Sequence, residues 1–174
     1  GCYLPMSAPM ALDIPCDGPG EKLAALAGWM VTEGGWSGNR AMLYQSETAN
    51  PDHCATIRGL LEAVGADFSE RPGQNGGLTF TVRGELAYWL MGFHKHLPMD
   101  AVFSWPIEDA TALFESMVDG DGHRRPNGRF SFIQKSESVA DAFQALATRL
   151  GYRTMQSQLR PDGILGIIEN LFQY

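Results

Sequence analysis

The chain has 174 residues, 44 per cent of them hydrophobic and 19 per cent charged, which suits one domain or two small fused halves and excludes wholesale disorder. Thirteen Lys and Arg against twenty Asp and Glu give a net charge of −7, which argues against a generic polyanion binder. No apolar run reaches the roughly eighteen residues of a membrane span, and the three scattered cysteines, Cys2, Cys16 and Cys54, form no zinc or disulfide pattern and fit a reducing, cytoplasmic compartment.

Residues 1–20 are rich in proline and show no periodicity, so they read as an arm or linker. They have no basic n-region, and Asp13 interrupts the mildly apolar stretch, so this is not a signal peptide. Gly1 is not an initiator; the chain reads as a processed, cloned or internal piece, with Met6 or Met10 as a natural start. A helix begins near Glu21, where Leu23, Leu26, Ala27 and Met30 follow helical spacing. It stops at Gly34-Gly35, where glycine allows a left-handed C-cap. A short strand is expected at Trp36–Gly38 and another at Arg40–Gln45 (RAMLYQ). A helix follows to Val64, with Asn50 as N-cap, Pro51 at its first position and Gly65 as stop. Strands at Asp67–Arg71 and Leu78–Arg83 flank a hairpin-type loop, and a helix covers Glu85–His96.

The second part of the chain repeats this order. A helix from Ile107 to Gly120 stops at Gly122, Arg129–Gln134 (RFSFIQ) alternates as a strand, and a helix covers Ser138–Leu150. Tyr152–Arg160 and Ile164–Ile168 read as a hairpin about Pro161-Asp162-Gly163. Gln45-Ser46-Glu47 answers Lys135-Ser136-Glu137, Leu60–Gly65 answers Leu146–Gly151, and Arg71-Pro72-Gly73 answers Arg160-Pro161-Asp162-Gly163. Two copies at one long period indicate a pseudo-two-fold duplication rather than a solenoid. Nothing in the second half answers the helix at Glu85–His96, so that half reads as C-terminally short.

The first helix of each half carries a stripe of small residues at four-residue spacing: Ala24, Gly28 and Thr32 in one, Ala112, Ser116 and Gly120 in the other. That spacing keeps them on one face, where two helix backbones can approach closely. Paired in this way, the helices bring Glu33 and Asp121 out side by side. An acid at a helix C-terminus faces the negative end of the dipole, at roughly 0.3–1 kcal/mol each, and the two carboxylates repel. Breaking a local rule twice and symmetrically points to function. A bound divalent cation reverses both penalties, and hard oxygen donors suit Mg²⁺.

LAGWMVTEG (Leu26–Gly34) and FESMVDGDG (Phe114–Gly122) resemble the two signature helices of LAGLIDADG homing endonucleases. Phe93–Gly122 resembles the linker and second motif of the single-chain, intein-type branch, and the likeness covers about residues 21–170. It implies an α+β fold of two αββαββα halves whose antiparallel sheets form a DNA-binding saddle, with the signature helices paired at the interface. The halves would be 21–98 and 111–174, joined by a linker at 99–110. The implied activity is site-specific cleavage of double-stranded DNA by a monomer acting as a pseudo-dimer. Mg²⁺ would be the cofactor, with Mn²⁺ as substitute and Ca²⁺ binding without turnover. The resemblance implies Glu33 and Asp121 as metal-binding carboxylates, with the neighbouring carbonyls of Thr32 and Gly120. It also implies Lys135 and Gln45 near the scissile phosphates: Lys135 to stabilise charge or activate water, Gln45 to orient water. Asp119, next to the motif, reads as a helix-end acid.

In that family sheet residues enter the major groove, which nominates Arg40, Arg71, Arg83, Arg124, Arg125, Arg129, Arg153 and Arg160. The second half supports this, with seven basic and two acidic residues from Arg124 to Arg160. The first does not: from Leu23 to Pro98 five basic residues face seven acidic ones. His94 and His96 lack a third metal ligand nearby, and Trp29, Trp36, Trp89 and Trp105 read as packing residues. No nucleotide-binding loop, nucleophile elbow or HExxH motif is present, nor a terminal His-Asn pair of an intein. The alternative reading is a non-cleaving relative, a maturase or regulator on the same fold. A nuclease of this kind implies a mobile-element or phage origin and action at the nucleoid.

Overall fold

The computed structural model describes residues 17–158 and 165–169. The first half runs α1 (Glu21–Glu33), β1 (Gly34–Ser37), β2 (Arg40–Ser46), α2 (Pro51–Ala63), β3 (Phe68–Pro72), a 3-10 turn (Gln74–Gly76), β4 (Gly77–Val82) and α3 (Gly84–Met91). After α4 (Met99–Phe103) the order returns as α5 (Ile107–Asp121), β5 (Gly122–Arg124), β6 (Phe130–Gln134), α6 (Glu137–Arg149), β7 (Thr154–Gln158) and β8 (Leu165–Glu169). The strands form two antiparallel sheets of matching order, β1-β2-β4-β3 and β5-β6-β8-β7.

Alternation along the strands sorts the two faces of each sheet. Ala41, Leu43, Phe80 and Val82 of the first sheet, and Phe130, Phe132 and Ile167 of the second, are buried under the helices. The intervening residues leave the other face of each sheet open. A single buried cluster runs through both halves, carried across by α1 and α5.

The most extensive helix contact is between α1 and α5. The small-residue stripes meet each other: a Cβ on Gly28 would strike Ser116 Oγ and lie 2.7 Å from the Leu113 carbonyl oxygen. A Cβ on Gly120 would lie 2.7 Å from Thr32 Cβ. Thr32 and Ser116 keep their hydroxyls satisfied by donating back to their own helices, to the Gly28 carbonyl at 3.1 Å and the Leu113 carbonyl at 2.9 Å. Equivalent positions of the two repeats thus face each other on helices running in the same direction, which relates the halves by a pseudo-two-fold axis along the pair.

The terminal glycines act differently from the left-handed caps expected of them. Gly34 (φ −84°, ψ 151°) and Gly122 (φ −108°, ψ 179°) are extended, so each helix passes directly into a strand. What demands glycine is space: a Cβ would run into the Met30 carbonyl oxygen at Gly34 and the Val118 carbonyl oxygen at Gly122. The left-handed stop occurs instead at Gly65 (φ 67°) and Gly151 (φ 88°), the ends of α2 and α6.

Several other expectations change. Asn50 does not cap α2 with its side chain; its amide donates to Gln45 Oε1 at 3.0 Å. The helix expected over Glu85–His96 ends at Met91, and residues 99–110, read as linker, hold α4 and the start of α5. Arg149 of α6 fastens α4 in place, donating to the carbonyls of Val102 at 2.7 Å and of Trp105. Trp29, Trp89 and Trp105 pack, the last two stacked 6.4 Å apart, but Trp36 is 52 per cent exposed. The hairpin about Pro161-Asp162-Gly163 and the segment Arg160-Pro161-Asp162-Gly163 lie outside the described residues.

The helix contact yields a paired test. Gly28→Leu is expected to destabilise the protein by about 1–3 kcal/mol or more through overpacking. Gly59→Ala, on the open side of α2 with nothing near its built Cβ, is expected to stabilise it by roughly 0.5–1 kcal/mol. Urea midpoints at constant slope check both.

Candidate nucleic-acid and metal site

Glu33 and Asp121 are the last residues of α1 and α5. The close helix approach delivers both to one end of the pair, where each is partly buried. Burial first, and then the charge of Asp121, pushes the Glu33 carboxyl up to about 7. Burial pushes Asp121 up to about 6, while a hydrogen bond from Gln134 Nε2 at 3.1 Å pulls the other way. Two crowded carboxylates with raised proton affinity form an oxygen donor set suited to a hard divalent cation. No third Asp, Glu, His or Cys joins them in a metal-binding cluster among the described residues. The carbonyls of Thr32 and Gly120 belong to the last helical turns, whose carbonyls lack partners within their own helices.

The structure brings a glutamine to each carboxylate. Gln45, buried at the end of β2, lines with Glu33 an open pocket of about 490 Å³, together with Tyr44 and the β3–β4 loop. Gln134 ends β6. By strand register Gly34 pairs with Leu43 and Gly122 with Phe132, so Gln45 and Gln134 are equivalent. Both are held in the same way. Gln45 Oε1 accepts from the Ser46 N–H (2.8 Å) and Gln134 Oε1 accepts from the Lys135 N–H (2.8 Å). This fixes each amide so that its NH₂ is directed away from the loop, at Gln134 onto Asp121.

Lys135, which the sequence set opposite Gln45, is therefore one residue beyond that position. It is exposed, and no hydrogen bond or ion pair links it to either carboxylate. The residue missed is Gln134. Its signal was present in the sequence: RAMLYQ and RFSFIQ align arginine with arginine and glutamine with glutamine. Matching Gln45-Ser46-Glu47 to Lys135-Ser136-Glu137 hid it, because the loop from Gln45 to Pro51 is longer than that from Gln134 to Glu137.

The arginines separate by strand parity. Arg40, Arg71 and Arg83 lie on the open side of the first sheet; Arg83 bonds Asp67 (3.3 Å) and Ser69 Oγ (2.7 Å). Arg125 and Arg129 flank the β5–β6 turn, where the Arg125 N–H donates to the Arg129 carbonyl at 2.7 Å. Arg153 precedes β7 and is exposed. Arg124 is turned to the helix side, opposite buried Phe130, and pairs with Glu115 and with Asp119 (3.5 Å). That accounts for Asp119 as a surface partner and takes Arg124 off the open face. Arg160 lies outside the described residues. Among strand residues whose side chains are described, Glu70 alone is acidic, and it faces the helices, bonded to Arg58 at 2.6 and 2.7 Å. The acidic excess is thus carried by helices and loops.

Comparison with solved structures gives the fold. I-DmoI in complex with DNA and Mn aligns with a TM-score of 0.64 and 13 per cent identity over 86 per cent of this chain and 89 per cent of that one. I-DmoI in complex with DNA and Ca aligns at 0.65 and 15 per cent, over 87 and 83 per cent of the two chains. This is the LAGLIDADG fold. The N-terminal LAGLIDADG domain of DUF199/WhiA also aligns, at TM-score 0.62 and 12 per cent identity, over 91 per cent of this chain and 80 per cent of that domain. No protein-family model matches the sequence, and no curated protein matches it significantly.

The raised carboxyl values set a pH dependence. In the folded metal-free protein both groups bind protons more tightly than in the unfolded chain, so their contribution to stability is full below about pH 4 and is lost as pH rises through about 6 and 7. The melting temperature without metal should therefore fall between pH 5 and pH 8, and added Ca²⁺ should restore it at the higher pH. Glu33→Gln should flatten the pH slope. Gln134→Ala should raise the Asp121 value further, read by carboxyl-carbon NMR titration.

Proposed function

We propose that the protein is a site-specific, divalent-metal-dependent endonuclease of the homing type that cuts double-stranded DNA as a monomer. One observation carries the reading. The most extensive helix contact among the described residues brings two carboxylates together at an electrostatic cost, at the end of the pair where both sheets begin. A protein that only binds DNA gains nothing from that crowding. The similarity to I-DmoI bound to DNA with Mn and with Ca supports it.

On this reading residues 21–98 and 111–174 each serve one DNA half-site. Arg40, Arg71, Arg83, Arg125, Arg129 and Arg153 contact phosphates or base edges. Glu33 and Asp121, with the carbonyls of Thr32 and Gly120, hold Mg²⁺ or Mn²⁺. A bound divalent ion supplies charge stabilisation at the phosphate and acidifies water. Gln45 and Gln134 orient water beside the two carboxylates, each amide pre-set by its bond to the following loop. Lys135 reaches a phosphate from the exposed end of β6 and offsets developing charge. Equivalent sets on opposite sides of the pseudo-two-fold axis attack opposite strands.

The test uses a plasmid pool carrying randomised inserts, incubated with the protein and Mg²⁺, followed by recovery of cut ends. A defined sequence with double-strand breaks is expected. Glu33→Gln or Asp121→Asn should slow that cleavage by about a hundredfold or more while leaving duplex binding in Ca²⁺. Sequence-specific binding with no cleavage by the wild type would favour the non-cleaving relative.

A further inference from the structure

Gln45 and Gln134 share a backbone bond to the residue that follows them, but beyond it they are held differently. Gln134 is fixed at both ends of its amide. Its Oε1 accepts from the N–H of Lys135 at 2.8 Å and of Ser136 at 3.4 Å, and its Nε2 donates to Asp121 at 3.1 Å. Gln45 makes no hydrogen bond to Glu33 among the described residues. Its NH₂ is not spent on a carboxylate, and the side chain lines, with Glu33, the open pocket of about 490 Å³.

The second hold on Gln45 comes from Asn50, whose Nδ2 donates to the same Oε1 at 3.0 Å. Chemistry fixes the sense of this bond. The Ser46 N–H can only donate, so the Gln45 atom it meets at 2.8 Å is the oxygen, and Asn50 must offer its NH₂ there. The last torsion of a glutamine is broad, so one bond leaves the amide free to swing, whereas two donors on one oxygen set its plane. Asn50 is itself anchored by backbone. Its N–H donates to the Ser46 carbonyl at 2.8 Å, and its carbonyl accepts from His53 at 3.1 Å and Cys54 at 3.2 Å. Its side chain makes no cap bond to α2, although it stands at the N-cap position. The same loop is joined to the pocket's other wall, where the Glu47 N–H donates to the Gly76 carbonyl at 2.9 Å. The second half reaches its helix sooner, at Glu137, and there backbone N–H groups alone hold Gln134 Oε1.

We infer that Asn50 is a positioning residue for the first-half site, acting through Gln45: it keeps the NH₂ of that amide toward the pocket beside Glu33 and so sets the rate at which one of the two DNA strands is cut. The inference rests on the DNA-cleaving reading and gives the longer β2–α2 loop a purpose. Where the carboxylate does not hold the glutamine, a side chain from the loop does.

The test uses Asn50→Asp, which keeps the shape but cannot donate when ionised. Aspartate is as favourable as asparagine at a helix N-cap, so the variant should keep the wild-type urea midpoint to within measurement or exceed it. The substrate is the duplex recovered by cleavage of the randomised pool, labelled on each strand in turn, with the full chain and Mg²⁺ in single turnover. Gln45→Ala identifies the strand served by the first-half site. Asn50→Asp should slow that same strand roughly ten- to a hundredfold, the cost of misplacing a positioned group, and change the other less than twofold. Duplex binding in Ca²⁺ should be unchanged. Added to Gln45→Ala, Asn50→Asp should have no further effect, the non-additivity of residues that act as one. Equal slowing of both strands, no slowing of either, or a full extra loss in the Gln45→Ala background would overturn the inference while leaving the nuclease reading intact. If the wild type cuts neither strand, that reading fails and the inference with it.

Discussion

The contact between α1 and α5 governs this molecule. Its two backbones meet because Gly28 and Gly120 offer no side chain where Ser116 and Thr32 need room. That contact does three things at once. It joins two four-stranded halves into one core, it relates them by an axis along the helices, and it fixes where the helices end. Glu33 and Asp121 are crowded as a consequence of packing rather than by attraction for each other. Their raised proton affinities, near 7 and 6, are the electrostatic record of that placement. In water alone the arrangement is a liability, one that a divalent cation between the two carboxylates would reverse.

The second constraint is the sorting of charge by strand parity. A net charge of −7 argued against a nucleic-acid partner, yet net charge is a property of the whole surface. Counterion release depends on the surface that meets the phosphates. Glu70 is turned under its sheet against Arg58, and Arg124 is turned the same way in the other half against Glu115 and Asp119. Arg40 and Arg71 keep the outward parity. Both sheets thus offer arginine on a face free of acidic strand residues among those described, although the first half as a segment is acidic.

Much of this was legible in the sequence, because it rests on local periodicity. The small-residue stripes, the helix and strand order, and the left-handed stops at Gly65 and Gly151 follow from spacing and from glycine's freedom. What was misread rests on tertiary geometry. Gly34 and Gly122 look like C-caps, but their role is to let the chain pass a carbonyl of its own helix. Lys135 looked equivalent to Gln45 because a three-letter match outweighed the strand pattern. Register assigns the equivalence to Gln134, which no charge advertises and whose amide bonds Asp121. Helix α4 was invisible because it is only five residues long and is held by Arg149, distant in sequence. Arg124 could be assigned to a face only once its pairing with Phe130 was known.

Whether the crowded carboxylates share a cation decides what the helix pairing is for. Anomalous diffraction from crystals grown with Mn²⁺ measures this most directly. The expected result is a manganese peak within coordination distance of both Glu33 and Asp121, lost in the Glu33→Gln, Asp121→Asn double variant. Well-ordered carboxylates that point apart, with no peak between them at saturating Mn²⁺, would contradict it.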